Sequence, residues 1–268
     1  MRRGIDVSTY QKAIDWTKVR TDGVKFAMIK ATQGKSETNP SLYLFTDSRF
    51  KYNIENAYKN GIECGVYHYL TATTPAGARE EAEYFLKTIE PYKGNIKLYA
   101  AVDVESPYLP NDKTLLTQIV NLFCVIVKQA GYDPMVYTNQ NFLTYRLNGI
   151  FTWKLWLALW RDKENVPTAE QYPNLAFWQW GSETVKGIAT GNVDANFEIT
   201  AKAKPAEPKP AEPEPVETKP ADPEPEEKVD YAAEVCKRAS LQAETRTFLD
   251  CYKWAEPLWE KLYNAMNN

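Results

Sequence analysis

Residues 98–131 read LYAAVDVESPYLPNDKTLLTQIVNLFCVIVKQAG, one complete strand-then-helix unit. The run Leu98–Glu105 is apolar until Asp103 and Glu105 interrupt it. Asp112 then offers a side-chain oxygen as a helix cap, and Leu115, Ile119, Leu122, Phe123 and Ile126 recur at helical spacing as far as Gly131. An apolar strand followed by an amphipathic helix is the repeating unit of parallel α/β folds. On an extended strand Asp103 and Glu105 share one side, and Val102 and Val104 face the other way, into a helix layer.

Seven further strand-like runs flank this unit: Arg3–Ser8, Lys25–Thr32, Cys64–Leu70, Pro134–Asn139, Lys154–Trp160, Leu175–Trp180 and Asn192–Glu198. Helical patterns cover roughly residues 47–60 and 77–89, the second with an acidic first turn at Glu80, Glu81 and Glu83. After the sixth strand the connections change character. Arg161–Asn174 contains Pro167 and Pro173, and Gly181–Gly191 contains three glycines, so neither should hold a long helix. The pattern predicts an α/β barrel that begins like a (β/α)₈ fold and loses its last helices.

The whole chain has 268 residues, 44% of them hydrophobic and 13% aromatic, enough for a substantial core. A net charge of −3 gives no sign of electrostatic capture of nucleic acid, and no apolar run is long enough to span a bilayer. The first residues, MRRGID, lack the apolar stretch of a secretory signal. The expectation is a protein made in the cytoplasm and released by something other than a signal peptide.

Composition breaks after Thr200. Residues 201–228 hold eight of the 17 prolines among lysines, alanines and glutamates, which favours an extended spacer. Residues 229–268 contain no glycine, and Phe248, Tyr252, Trp259, Leu262 and Met266 keep helical spacing. The expected division is therefore a barrel over 1–200, a linker over 201–228 and a helical tail over 229–268. Cys236 and Cys251 would stand roughly 22 Å apart in one straight helix, so only a helical hairpin could bridge them. So short a tail is marginal alone, and either a bridge or self-association into a homo-oligomer would help it; its expected role is cell-wall binding, oligomerisation or docking onto the barrel.

Several chemistries are excluded cheaply. His68 is the one histidine, whereas zinc hydrolases usually need two or more. Cys64 and His68, four residues apart on a strand, are separated by about 13 Å, too far for proton transfer. No G-x-S-x-G elbow, P-loop, G-x-G-x-x-G or C-x-x-C occurs. What remains is carboxylates at strand ends. Asp6 closes the first strand, Asp103 and Glu105 the fourth, and Asp194 lies in the eighth. In a barrel of this kind the active site lies at the carboxyl ends of the strands. Carboxyls crowded into a desolvated cleft repel, and a raised pKa on one of them makes a general acid beside an ionised partner. A lone D-x-E is more often an ion pair or a solvated rim. Convergence with Asp6 and Asp194 is what favours chemistry. A carboxylate cage for Mg²⁺ or Ca²⁺ is the competing arrangement.

The segments GIDVSTYQ, FAMIKATQG, GVYHYL, AAVDVE, VYTN, WLALW, FWQW and GNVDANFE, in this order over residues 4–198, resemble the glycoside hydrolase family 25 lysozymes of bacteriophage endolysins and some autolysins. The resemblance implies an irregular (β/α)₅(β)₃ barrel, no cofactor or metal, and a β-1,4-N-acetylmuramidase. Its partner would be bacterial peptidoglycan, cut between N-acetylmuramic acid and N-acetylglucosamine. Glu105 would be the general acid, Asp103 its tuning neighbour, and Asp6 and Asp194 the rest of an acidic floor. The attacking group would be either a carboxylate or the substrate's own acetamido oxygen. Gln33 stands where relatives commonly carry glutamate. A family 18 chitinase also ends its signature in D-x-E, but Ala100 and Ala101 replace its further aspartates. A non-catalytic wall-binding protein is the alternative from another class. Among the aromatic residues, Tyr67, Tyr137 and Trp156 are the expected sugar contacts, with Gln179 as a polar one and His68 as a structural residue.

Overall fold

The computed structural model describes residues 1–35, 44–149, 152–199, 235 and 255–266. The chain divides into two compact units, Met1–Ala201 and Lys202–Asn268. In the first, the order is β1 (Arg3–Val7), α1 (Trp16–Thr21), β2 (Phe26–Gln33), β3 (Phe45–Thr46), α2 (Phe50–Lys59), β4 (Glu63–Tyr69), α3 (Pro75–Ile89) and β5 (Ile96–Asp103). It continues through α4 (Lys113–Gln129), β6 (Pro134–Asn139), α5 (Gln140–Tyr145), β7 (Lys154–Ala158), β8 (Leu175–Thr184) and β9 (Asn192–Glu198). Setting aside the two-residue β3, five strand–helix units are followed by three strands with no helix described between them. This is the (β/α)₅(β)₃ pattern.

The sheet runs β1-β9-β8-β7-β6-β5-β4-β2-β3, and a further pairing of β1 with β2 closes it into a barrel. Neighbours from β1 through β2 and β4 to β8 are parallel. The last strand is different: β9 lies antiparallel to both β8 and β1. The eight strands read from the sequence are therefore present, with β3 as an unforeseen ninth that pairs antiparallel with the end of β2.

Local chemistry explains the helix boundaries. Thr74 caps α3 by accepting the Gly77 N–H, and Pro75 occupies the first helical position, where its missing N–H costs nothing. Glu80, Glu81 and Glu83 consequently fall beyond the first turn, not in it as expected. Asp112 accepts the N–H groups of Thr114 and Leu115 to start α4, and Gly131, at φ 80°, follows its end. The short helices α1 and α5 had no visible apolar periodicity, and each is started by its own cap, Asp15 and Asn139.

Two apolar layers follow from strand alternation. Outward residues such as Val66, Val102, Val104 and Val136 pack with Phe85, Ile119 and Phe123 from the helices. Inside the barrel Phe26, Met28, Met135, Trp156 and Phe177 fill the base. Gly4 belongs to this layer because a Cβ there would overlap the Phe26 ring. Each fully buried side chain of this size contributes about 1.5–3 kcal/mol.

His68 is fully buried on the outer side of β4. Its Nδ1 is hydrogen-bonded to Thr32 Oγ1 at 2.7 Å and its Nε2 to Glu81 Oε2 at 2.8 Å. Glu81 also accepts the Thr71 N–H at 3.1 Å, so one buried carboxylate ties α3 to β4 and the loop after it. The structural reading of His68 agrees with this placement.

In the second unit the described helix is α6 (Ala255–Met266). Trp259 is buried and Tyr263 half-buried, whereas Met266, expected on the apolar stripe, is 43% exposed. The linker over 201–228, Cys236, Cys251, Phe248 and Tyr252 lie outside the described residues.

Candidate active site

The carboxyl ends of the strands surround a cleft of about 590 Å³ that brings Asp6, Asp103, Glu105 and Asp194 together with Tyr67, Tyr137, Trp156 and Gln179. Every residue singled out from the sequence as a site candidate thus lines one cavity. Lys30, Gln33, Tyr10 and Tyr69 line it as well.

Register explains the convergence. Across β4 to β7 the partners Tyr69, Asp103, Tyr137 and Trp156 form one row, and strand alternation turns all four to the interior. Glu105 stands just past the end of β5, which stops at Asp103 rather than at Glu105 as expected. Asp194 reaches the same mouth for another reason. It lies near the start of β9, and only the antiparallel direction of that strand brings its beginning to the carboxyl ends of the others.

A polar network fixes the floor. Asp6 Oδ2 accepts hydrogen bonds from Gln179 Nε2 at 3.0 Å and Asn196 Nδ2 at 2.8 Å. Asn196 Oδ1 in turn accepts the Trp156 indole N–H at 2.7 Å. Gln179 Oε1 accepts from the Tyr137 hydroxyl at 3.2 Å and from Trp160 Nε1 at 3.0 Å. These bonds leave Gln179 one amide orientation, with its NH₂ toward Asp6. The Tyr67 and Tyr137 rings meet Trp156 edge-on, at centroid distances of 6.0 and 4.5 Å.

The electrostatics are those of crowded acids. Burial, then the charges of Asp194 and Glu105, push Asp6 up to about 7 despite its two hydrogen bonds. Asp103 is raised well above the usual carboxylate range by burial and by Glu105, with Lys30 opposing. Glu105 is raised by burial and by Asp194, against the pull of the Tyr137 hydroxyl and Lys30. Burial raises Asp194 too. The cleft therefore retains protons that isolated carboxyls would lose, which is the state an acid catalyst needs. Asp103 Oδ1 is buried without a hydrogen-bond partner among the described residues.

Lys30 is the charge that sequence reading missed. Its ammonium donates to Gln33 Oε1 at 2.9 Å and lies 5.0 Å from the centroid of the Tyr69 ring. Burial lowers its pKa, and the charges of Asp103, Asp47 and Glu105 oppose that. On β2 it lies on the same side as the apolar Phe26 and Met28, so the local pattern gave no sign of a charge at the site. The remaining tryptophans divide. Trp153 bonds Asn121 of α4, Trp178 is buried with its N–H on Leu159 O, and Trp160 stands exposed just past β7, which ends at Ala158 rather than Trp160.

With this geometry the comparisons agree. Residues 5–188 match the description Glycosyl hydrolases family 25. The chain belongs to that family. It is 31% identical over 206 residues to Lysozyme M1 of Streptomyces globisporus, covering 72% of this chain and 66% of that protein. The bacterial lysozyme of Streptomyces coelicolor superposes with a TM-score of 0.60 at 28% identity, covering 75% of this chain and 94% of the other. The CTP1L endolysin superposes with a TM-score of 0.62 at 25% identity, covering 74% of this chain and 67% of that one. The family 25 chain thus spans about two thirds of the length of Lysozyme M1. The matched region ends before the proline-rich tract, so the tail stands outside it.

Proposed function

We propose that this family 25 glycosidase is a muramidase that hydrolyses the β-1,4 bond between N-acetylmuramic acid and N-acetylglucosamine in peptidoglycan. The observation that carries the reading is the set of four carboxyls over one cleft, with Glu105 raised above the usual carboxylate range by burial beside Asp103. Relatives named lysozyme support the substrate class.

Glu105 is the residue proposed to protonate the departing glycosidic oxygen. Burial raises its pKa, which favours the protonated form an acid needs, and its position at the cleft mouth leaves it partly open to solvent for reprotonation. Asp103 lies deeper. Its unpartnered Oδ1 is costly to keep buried, and an amide N–H is the donor that an N-acetylated sugar supplies. An Asp103 bond to that N–H would turn the acetamido oxygen toward the anomeric carbon, which supports the substrate-assisted route. Ionised Asp6 or Asp194 would stabilise the positive charge developing on the ring. The likeness to the CTP1L endolysin supports a lytic role at the bacterial wall.

Digestion of purified peptidoglycan tests the assignment. New reducing ends should be muramic acid; glucosamine ends would place the cut at the other bond. Glu105→Gln, which keeps shape and loses the acid, should stay folded and lose at least about a hundredfold in turnover. Full lysis by that variant would overturn the assignment.

A further inference from the structure

Trp160 is 62% exposed, which is costly for the largest apolar side chain. Residues 159–161 continue beyond β7 alongside β8, with Leu159 N–H donating to Gln179 O at 3.1 Å and Arg161 N–H to Trp180 O at 3.1 Å. On this extended segment Trp156, Ala158 and Trp160 fall on one side, and Leu155, Leu157 and Leu159 on the other, against the outer core. Trp156 lies on the cleft floor, so Trp160 stands at the rim above it.

Only the edge of the indole is tethered. Its N–H donates to Gln179 Oε1, and among the described residues no aromatic ring or cation is recorded over its face. Its neighbours differ: Trp178 has the Arg161 guanidinium over it, and Trp180 has Lys163 and Phe197. An aromatic plane fixed by one edge and open on its face suits the C–H face of a pyranose ring.

We propose that Trp160 is a sugar-stacking subsite at the rim of the cleft, taking a pyranose of the glycan strand beyond those held between the carboxyls. The inference rests on the glycan reading of the cleft. It adds a binding residue outside the cavity, and it makes affinity depend on strand length. Because the N–H bond runs through Gln179 to Asp6, a loss of Trp160 could also disturb the floor, and the test must separate the two effects.

The experiment titrates full-length Glu105→Gln protein, which binds without cutting, with long peptide-free glycan strands and with a tetrasaccharide of the same chemistry. Adding Trp160→Ala should weaken binding of the long strands by about tenfold, as expected for one lost stacking contact and its buried area. The tetrasaccharide should lose much less. Trp160→Phe, which keeps an aromatic face and loses the N–H bond, should retain most of the preference for long strands. Equal losses on both ligands would show a structural role through Gln179 and overturn the subsite, as would unchanged long-strand binding. Failure of the wild type to produce muramic acid ends would instead reject the muramidase reading, and the titration would be judged separately.

Discussion

Replacing Asp6 by asparagine should stabilise the barrel at neutral pH while damaging its chemistry. Asparagine has the shape of aspartate, and its carbonyl oxygen can accept the bonds that Gln179 and Asn196 now donate to Oδ2. What disappears is a charge among Asp103, Glu105 and Asp194. Asp6 is raised from 3.8 to about 7, so the folded protein holds this proton more tightly than the unfolded chain does. For a group raised in this way, the stabilisation is complete below about pH 4 and is lost as pH climbs toward about 7. At or above pH 7 the full displacement corresponds to about 4 kcal/mol, a ceiling. The cleft is partly open to solvent, and Asp194 and Glu105 share the same field, so about 1–2 kcal/mol should be recovered by one substitution. In a unit of this size that raises Tm by about 3–6 °C. Thermal melts of wild type and Asp6→Asn at pH 7.5 and pH 4 would check it. The gain should appear at pH 7.5 and vanish at pH 4, with turnover reduced throughout. A gain equal at both pH values, or a lower Tm at pH 7.5, would refute the electrostatic argument.

Lys30→Met removes the cation that lowers Asp103 and Glu105, so both carboxyls should rise further, and the alkaline limb of the activity profile should move to higher pH. A limb unmoved or shifted down would show that Lys30 does not act through their charge. A carboxyl pair does this chemistry without metal, so EDTA should leave hydrolysis intact, whereas loss restored by Mg²⁺ or Ca²⁺ would favour the cage of four carboxylates. Truncation after Thr200 should leave a folded barrel that cuts soluble glycan fragments, since the family match and all four acids precede that point. Weaker binding of whole walls on truncation would assign the tail to wall attachment, and a change from oligomer to monomer would assign it to assembly. A barrel that fails to fold would overturn the division.

Period-two alternation and helical spacing were enough to find the eight long strands, the capped helix α4 and the loss of helices after β7. They also put Asp103 and Glu105 on one side of a strand and named the aromatic candidates, because facing is a local property of an extended chain. Strand direction is not local. An alternating strand reads the same whether it runs up or down its sheet, so the reversal of β9, which delivers Asp194 to the cleft, was decided by closure of the barrel. Partnership across long separations is equally invisible in one sequence. Gln179 and Asn196 meet Asp6 from 173 and 190 residues away, and Lys30 on β2 shares a field with Asp103 on β5, with β4 between the two strands. The sequence by itself determined which residues carry charge and which face inward. Only the tertiary structure decided which of them are buried together in one field, and that burial, with the charge of Asp194 added, is what raises the pKa of the acid.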